Sequence, residues 1–260
     1  MAVLVCCCLA KAQGAAVEAP REFTVATYNV LYRNPNLPKL VATLKEAQAD
    51  LVALQETNAE SEKVLRRELA SAYPYMRFRG GRGSDGFGYL SKTPLRNLEF
   101  LEPLPGGRGA WIAEVMLGGT NVQVASIHLA TPNPRQMSSL AAIMAMFQKV
   151  EATHAQEIAR IHKKLSRPMP IIVLGDFNSF SFFHAPKFLA ESGLVDSFAS
   201  VTERADQHGT WPFRSGENKW TFRIDFIFHS RELRTLQSRI IPSEASDHYP
   251  VVSRLGWTEK

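Results

Sequence analysis

Apolar and polar positions along the chain follow two periods, and the switches between them mark out strands and helices. Phe23 to Leu31 is dense in β-branched and aromatic residues and predicts a core strand that ends near polar Asn29. Leu37, Leu40, Val41, Leu44 and Ala47 then recur at helical spacing. The apolar run Leu51 to Leu54 completes a strand, helix, strand unit ending in Gln55 and Glu56. A second short helix carries Val64, Leu65 and Leu69, after which Pro74 and the glycines from Gly80 to Gly88 break the period. The middle predicts antiparallel strands at 88–91, 111–117 and 122–129, with Gly118-Gly119 as a tight turn between the last two.

A long helix is predicted over 136–165, where Leu140, Ile143, Phe147, Val150, Ile158, Ile161 and Leu165 form one apolar stripe closed by Pro168 and Pro170. The fully apolar strand Ile171 to Leu174 follows and ends in Gly175-Asp176. The remainder predicts a helix near 186–191, a Trp-rich loop over 211–220, and strands at 222–228, 233–241 and 249–255. No internal repeat or linker interrupts this order, so residues 21–260 are expected to form one domain.

Composition narrows the class. The chain has 260 residues, 45% hydrophobic, which is ample for a buried core and excludes a disordered or fibrous chain. Thirty Lys and Arg against twenty-five Asp and Glu leave +5, a mild excess compatible with a phosphate-bearing partner. No run of about 18 apolar residues appears, so no long helix is expected to span a membrane. All three cysteines are consecutive, Cys6 to Cys8, so the folded body has neither a disulfide nor a thiolate metal site. They lie in an apolar stretch followed by Ala10-Lys11-Ala12, which resembles a signal-peptide cleavage site without its basic start. Residues 1–20 are therefore set apart as a signal-like or disordered segment. The expectation is export to a periplasm or the exterior, with a cytoplasmic protein as the alternative.

The functional signal lies in how the apolar strands end. Asn29, Glu56, His128, and Asp176 with Asn178 each follow a core strand, and side by side they would make one polar cluster at the edge of the core. Glu56, Asp176, Asp225 and Asp247 could supply hard oxygen ligands, and Asn29 and Asn178 amides, which is an inventory for Mg2+ or Mn2+. Zinc is disfavoured, because the body lacks cysteine and the seven histidines show no close pairing along the chain. A magnesium ion beside a carboxylate suits cleavage of a phosphate ester by water. Asp176 is the candidate to orient or deprotonate that water. His248, held by a carboxylate such as Asp225, could stay protonated and meet the phosphate. His154 falls on the apolar stripe and is assigned to packing.

At this point six blocks resemble, in order, those of the endonuclease/exonuclease/phosphatase superfamily. They are Tyr28-Asn29-Val30, Leu54-Gln55-Glu56, Ser126-Ile127-His128-Leu129, Gly175-Asp176-Phe177-Asn178, Arg223-Ile224-Asp225-Phe226-Ile227 and Ser246-Asp247-His248. The resemblance implies an α/β fold, a four-layered sandwich of two mainly antiparallel sheets flanked by helices. It implies that Glu56 binds the metal, that Asn29 supports the metal and phosphate site, and that Asp247 completes the metal or water network. Asp176 would activate water, Asn178 would orient water or phosphate, and Asp225 would pair with His248. His128 stands where deoxyribonuclease-like members have a second catalytic histidine. Arg108 resembles a phosphate-contacting arginine, and Asp85 could hold His128.

The activity so implied is metal-dependent hydrolysis of a phosphodiester, with a nuclease as the first reading. The alternatives are a sphingomyelinase-like phospholipid diesterase or phosphatase, and a non-catalytic phosphate-binding domain of the same fold. Basic residues from Lys63 to Arg108 could follow a nucleic-acid backbone, although interspersed Glu68, Glu99 and Glu102 favour an ordinary solvated face. Trp211 and Trp220 could stack on a base, touch a membrane surface, or belong to the core. Gly81 to Gly86 fits G-x-G-x-x-G, but a strand-like run follows it, so a dinucleotide site is rejected. The oligomeric state is left open by the sequence.

Overall fold

The computed structural model describes residues 22–133, 139–165, 168–215 and 218–258, so the readings of the amino-terminal segment lie outside the described residues. The elements run β1 (Glu22–Asn29), α1 (Leu37–Ala47), β2 (Leu51–Gln55), α2 (Ala59–Leu69), β3 (Tyr75–Arg79), β4 (Phe87–Ser91), β5 (Leu95–Leu101), β6 (Ala110–Leu117) and β7 (Thr120–His128). They continue with α3 (Leu140–Lys164), β8 (Ile171–Asp176), α4 (His184–Glu191), β9 (Val195–Asp196), β10 (Trp211–Ser215), β11 (Asn218–Phe222), β12 (Asp225–His229), β13 (Leu233–Ile240) and β14 (Val251–Trp257).

Two six-stranded sheets form the body, in the orders β13-β14-β1-β2-β4-β3 and β5-β6-β7-β8-β12-β9. Strand alternation explains the layering. Val25, Leu51, Ala53, Ile172, Leu174 and Ile227 point into the core between the sheets. Their neighbours point outward: Ala26, Val52 and Leu54 meet Leu40, Leu44 and Leu65 of α1 and α2. Val173, Phe226 and Phe228 meet Ile158 and Ile161 of α3 and Leu189 of α4. Strands buried on both faces read as continuous apolar runs, which is why these are legible in the sequence. The architecture is the expected four-layered sandwich.

Most strand pairs are antiparallel, but β1 with β2 and β7 with β8 are parallel. Each parallel pair is bridged by a helix, α1 or α3, that returns the chain to the starting edge. As a result Asn29, Gln55, His128 and Asp176 end their strands at the same edge, where the antiparallel β12 begins with Asp225. Buried polar links fix the two sheets together just below it: Gln55 donates to Ser126 at 3.1 Å and Tyr89 Oη donates to the Trp111 carbonyl at 2.6 Å.

Several elements differ from the sequence reading. The edge strands β3 and β5 have no counterpart in it, because charged residues hide their alternation and one face of each is solvated. The Trp-rich loop is the hairpin β10–β11, whose Pro212 is tolerated in a two-stranded ribbon outside the main sheets. Phe222 closes that hairpin, so the strand expected from 222 starts at Asp225, and the last strand starts at Val251 instead of Tyr249. The first residues expected in the long helix lie outside the described residues, and α3 opens at Leu140 behind a Ser139 cap. No described helix is long and apolar enough to cross a membrane.

Candidate active site

Asp176 occupies the centre of the edge. In the sheet register it sits between His128 on β7 and Asp225 on β12. Gly175 makes this placement possible: its φ is +148°, and a Cβ there would lie 2.0 Å from the Ile127 carbonyl oxygen. Asp176 Oδ1 accepts the Asn178 amide at 2.8 Å, and Oδ2 accepts Asn29 Nδ2 at 3.0 Å from the facing sheet. The same Asn29 nitrogen donates to Glu56 Oε1 at 3.1 Å, while Glu56 Oε2 accepts the Tyr32 amide at 3.0 Å. Asn58 caps α2 and also donates its side-chain nitrogen to the Tyr32 carbonyl, so the start of one helix locks the loop that holds Glu56. Glu56 and Asn178 both sit at positive φ, 61° and 46°, strained positions of the kind that cluster where function fixes the backbone.

On the other side of Asp176, His248 Nδ1 donates to Asp225 Oδ2 at 2.9 Å, and His248 Nε2 lies 3.8 Å from Asp176 Oδ2. Thr210 completes the support by donating to Asp225 Oδ2 at 2.6 Å and accepting the Ile224 and Asp225 amides. Burial opposes a charge on His248, but Asp225 and Asp176, with Asp247 adding to them, outweigh it and raise its pKa to about 10. Burial and then the nearby Asp225 raise Asp176 to about 7, against the lowering influence of His248 and its amide donors. His128 is buried with Nε2 3.4 Å from Asp176 and 3.9 Å from Glu56. Burial, then the charges of Arg108 and His248, hold its pKa well below the usual range, so it is neutral.

A cavity of about 260 Å3 opens over this cluster. Glu56, Asp176, Asn178, Asp247 and His248 line it, together with Glu151 and the apolar side chains of Phe147, Phe180 and Trp211. Asn29, Asp225 and His128 lie beneath that lining and reach the cavity through Asp176, Glu56 or His248. Arg108 stands beside it, with Nε 2.9 Å from Ser84 Oγ and one terminal nitrogen 2.9 Å from Thr131 Oγ1. Asp85, expected to hold His128, instead faces Arg108 at 3.8 Å. Within the basic stretch, Arg66, Arg67, Arg79 and Lys92 each pair with a carboxylate.

Glu56, Glu151, Asp176 and Asp247 bring four carboxylates to the lining, with no lysine or arginine among the described residues there. This donor set fits a hard divalent cation. Glu56 retains acceptor capacity beyond its two hydrogen bonds, and exposed Asp247 accepts only from Ser246 at 3.3 Å among the contacts described. The Asn29 oxygen accepts the Leu31 amide at 3.1 Å, so Asn29 steers carboxylates through its nitrogen. Donor atoms of Asp176, Asp225 and His248 also lie within 4.8 Å of one another. An ion seated among them would displace the Asp225–His248 hydrogen bond.

Two residues important to this arrangement carry little sequence signal. Thr210 sits beside Trp211, and nothing in its neighbours announces a contact with Asp225. Glu157 could be found as an acid within the apolar face of α3. It is buried, its Oε1 accepts the Leu104 amide at 3.0 Å, and a Cβ on Gly107 would lie 2.2 Å from it. It thereby holds the turn from which Arg108 projects.

Two layered sheets with carboxylates and an Asp-supported histidine at one strand edge define a phosphoesterase of the metal-dependent sandwich type. The chain belongs to the Endonuclease/Exonuclease/phosphatase family, whose model matches residues 26–248. No curated protein sequence matches it. Among solved structures it is similar to D. rerio TDP2 complexed with a single-strand DNA product, at 16% identity and a TM-score of 0.70, covering 90% of this chain and 98% of that one. A humanized D. rerio TDP2 carrying 14 mutations gives 17% identity and a TM-score of 0.69, over 90% and 99% of the two chains. An endonuclease/exonuclease/phosphatase from Beutenbergia cavernae gives 19% and 0.66, over 91% and 72%. At these identities the likeness is one of fold.

Proposed function

We propose that this protein is a divalent-metal-dependent phosphodiesterase that attacks phosphorus in line with water, acting on nucleic acid. The observation that carries the reading is the convergence of Glu56, Asp176, Asn178, Asp247 and His248 on one cavity from separate elements. When bound, a magnesium or manganese ion held by Glu56 and Asp247 would polarise the phosphoryl oxygens and stabilise developing charge. Asp176, poised near neutral pH, takes a proton from the attacking water, and Asn178 beside it orients water or phosphate. His248 stays protonated against Asp225 and offers Nε2 to a phosphoryl or leaving oxygen. Neutral His128, Asn29 and Thr210 keep these groups in place, and Arg108 at the side stabilises the anion.

The nucleic-acid preference draws support from the single-strand DNA product bound by the TDP2 neighbour. A phospholipid diester is the second reading, favoured by the exposure of Phe182 and Trp220, each in ring contact with a residue that leads to the cavity wall. Purified protein with magnesium or manganese is to be assayed on bis-p-nitrophenyl phosphate, single-stranded DNA and sphingomyelin, beside Asp176→Ala and His248→Ala. Turnover that Asp176→Ala abolishes on every diester, and that His248→Ala abolishes on the natural substrates with alkyl leaving groups, supports the reading, and the preferred natural substrate assigns the class. Equal turnover in wild type and variants defeats it, and no turnover by any of them leaves a non-catalytic phosphate-binding domain.

A further inference from the structure

A second cavity, of about 210 Å3, adjoins the catalytic one and shares Phe180 as a wall. Its lining is unlike that of the catalytic centre: Phe180, Phe182 and Phe222, with Ser181, Asp206 and Arg223. Phe180 is the middle ring. Phe182 stacks on it at 5.5 Å and 19°, and Phe222 meets it at 5.5 Å and 56°, so the three rings turn a concave apolar face outward. The polar edge is built and anchored. Buried Arg223 donates to Asp206 Oδ1 at 3.0 and 2.8 Å and to Asp196 at 2.7 Å, while Ser181 donates to Asp206 Oδ2 at 2.6 Å. Asp206 nevertheless keeps 59% of its side chain exposed, leaving acceptor capacity for a ligand.

We infer that this cavity is a subsite for a planar heteroaromatic ring, a nucleobase, carried by the phosphodiester whose phosphorus lies in the catalytic cavity. The inference rests on the phosphodiesterase reading above and names the group that would confer preference on it. Three features select the occupant. Flat phenyl faces stack on any base without regard to sequence. The carboxylate edge accepts from ring or exocyclic N–H groups, a use an acyl chain cannot make of it. An apolar cavity of about 150 Å3 already accepts benzene, so the volume suits a single base better than a long chain. Phe182 is 66% exposed in the free protein, an aromatic ring at the cavity mouth that a stacked base would cover.

The test measures binding and turnover separately on the full chain with manganese present. Calorimetry compares thymidine monophosphate, methyl phosphate and phosphocholine against wild type, Phe182→Ala and Phe182→Trp. Wild type is expected to bind the nucleotide about tenfold more tightly than methyl phosphate, within the range of one base stacked on one ring. Phe182→Ala should remove that margin and Phe182→Trp should restore it. Phe182 is exposed, so its truncation leaves the core intact, and a circular-dichroism melt verifies this. Equal affinity for nucleotide and methyl phosphate in wild type, or a margin unchanged in Phe182→Ala, overturns the subsite. A preference for phosphocholine lost in Phe182→Ala also overturns it and assigns an ammonium cage instead. Hydrolysis of methyl p-nitrophenyl phosphate is read in parallel: its absence with the nucleotide margin intact refutes the phosphodiesterase reading and leaves the base subsite standing.

Discussion

His248 and Asp225 are joined by a buried 2.9 Å hydrogen bond, and Asp225, ahead of Asp176 and Asp247, holds up the pKa of the imidazole at the cavity floor. If His248 donates a proton to the leaving oxygen, its loss should matter most when that oxygen is basic. His248→Gln is expected to lower kcat about a hundredfold or more on an alkyl diester and far less on a p-nitrophenyl diester, whose leaving group needs no acid. Leaving-group dependence measured on both substrates checks this, and equal losses on the two would remove the acid role.

The pH profile follows from the two perturbed groups. Asp176 must be ionised to accept a proton, so kcat/KM should rise with pH through about 7. His248 must be protonated, so activity should fall as pH passes about 10. A bound dication favours the carboxylate and moves the rising limb to lower pH. Asp225→Asn removes the strongest influence raising His248 and also the charge that helps raise Asp176, so both limbs should move to lower pH, the falling limb further. Profiles of wild type and variant from acid to strongly basic pH decide it.

Glu56 and Asp247 are expected to control metal affinity. Glu56→Gln and Asp247→Asn should each raise the magnesium concentration needed for half-maximal activity, and Asn29→Ala should do so by about 10- to 100-fold through the loss of its grip on Glu56 and Asp176. Chelation should abolish activity and added manganese should restore it. Manganese titration by calorimetry gives the same ranking without relying on turnover.

The buried Glu157 carboxylate and the Gly107 backbone leave no room for a methyl group between them. Gly107→Ala should destabilise the protein by about 1–3 kcal/mol through overpacking. Glu157→Ala should cost a similar amount by leaving the Leu104 amide unpaired. The double variant should be less destabilised than the sum, because truncating Glu157 opens the space that the methyl group added at Gly107 needs. Chemical denaturation of the four proteins measures the coupling, and strict additivity would show that the contact does not hold the turn.

What the sequence determined by itself was the run of core strands and the polar residues that end them, while the layered architecture came with the family resemblance those residues carry. Strands such as Ile171–Asp176 are buried on both faces, so their apolar run and its polar end are written in consecutive residues. The same is true of Glu56 after Leu51–Gln55, whereas Asp247-His248 lies between β13 and β14 and was legible through the family resemblance. The edge strands β3 and β5 were not legible because a half-solvated strand carries charges on its open face, and the hairpin β10–β11 because Pro212 and tryptophans there read as loop. The tertiary structure alone decided who touches whom. It drew Asn29 from one sheet to Asp176 in the other, set His128 and Asp225 on either side of Asp176, gave Asp225 the support of Thr210, turned Asp85 toward Arg108, and placed Glu157 against Gly107. Such contacts arise when β1–α1–β2 and β7–α3–β8 bring distant strand ends to one edge, and local periodicity carries no record of that meeting.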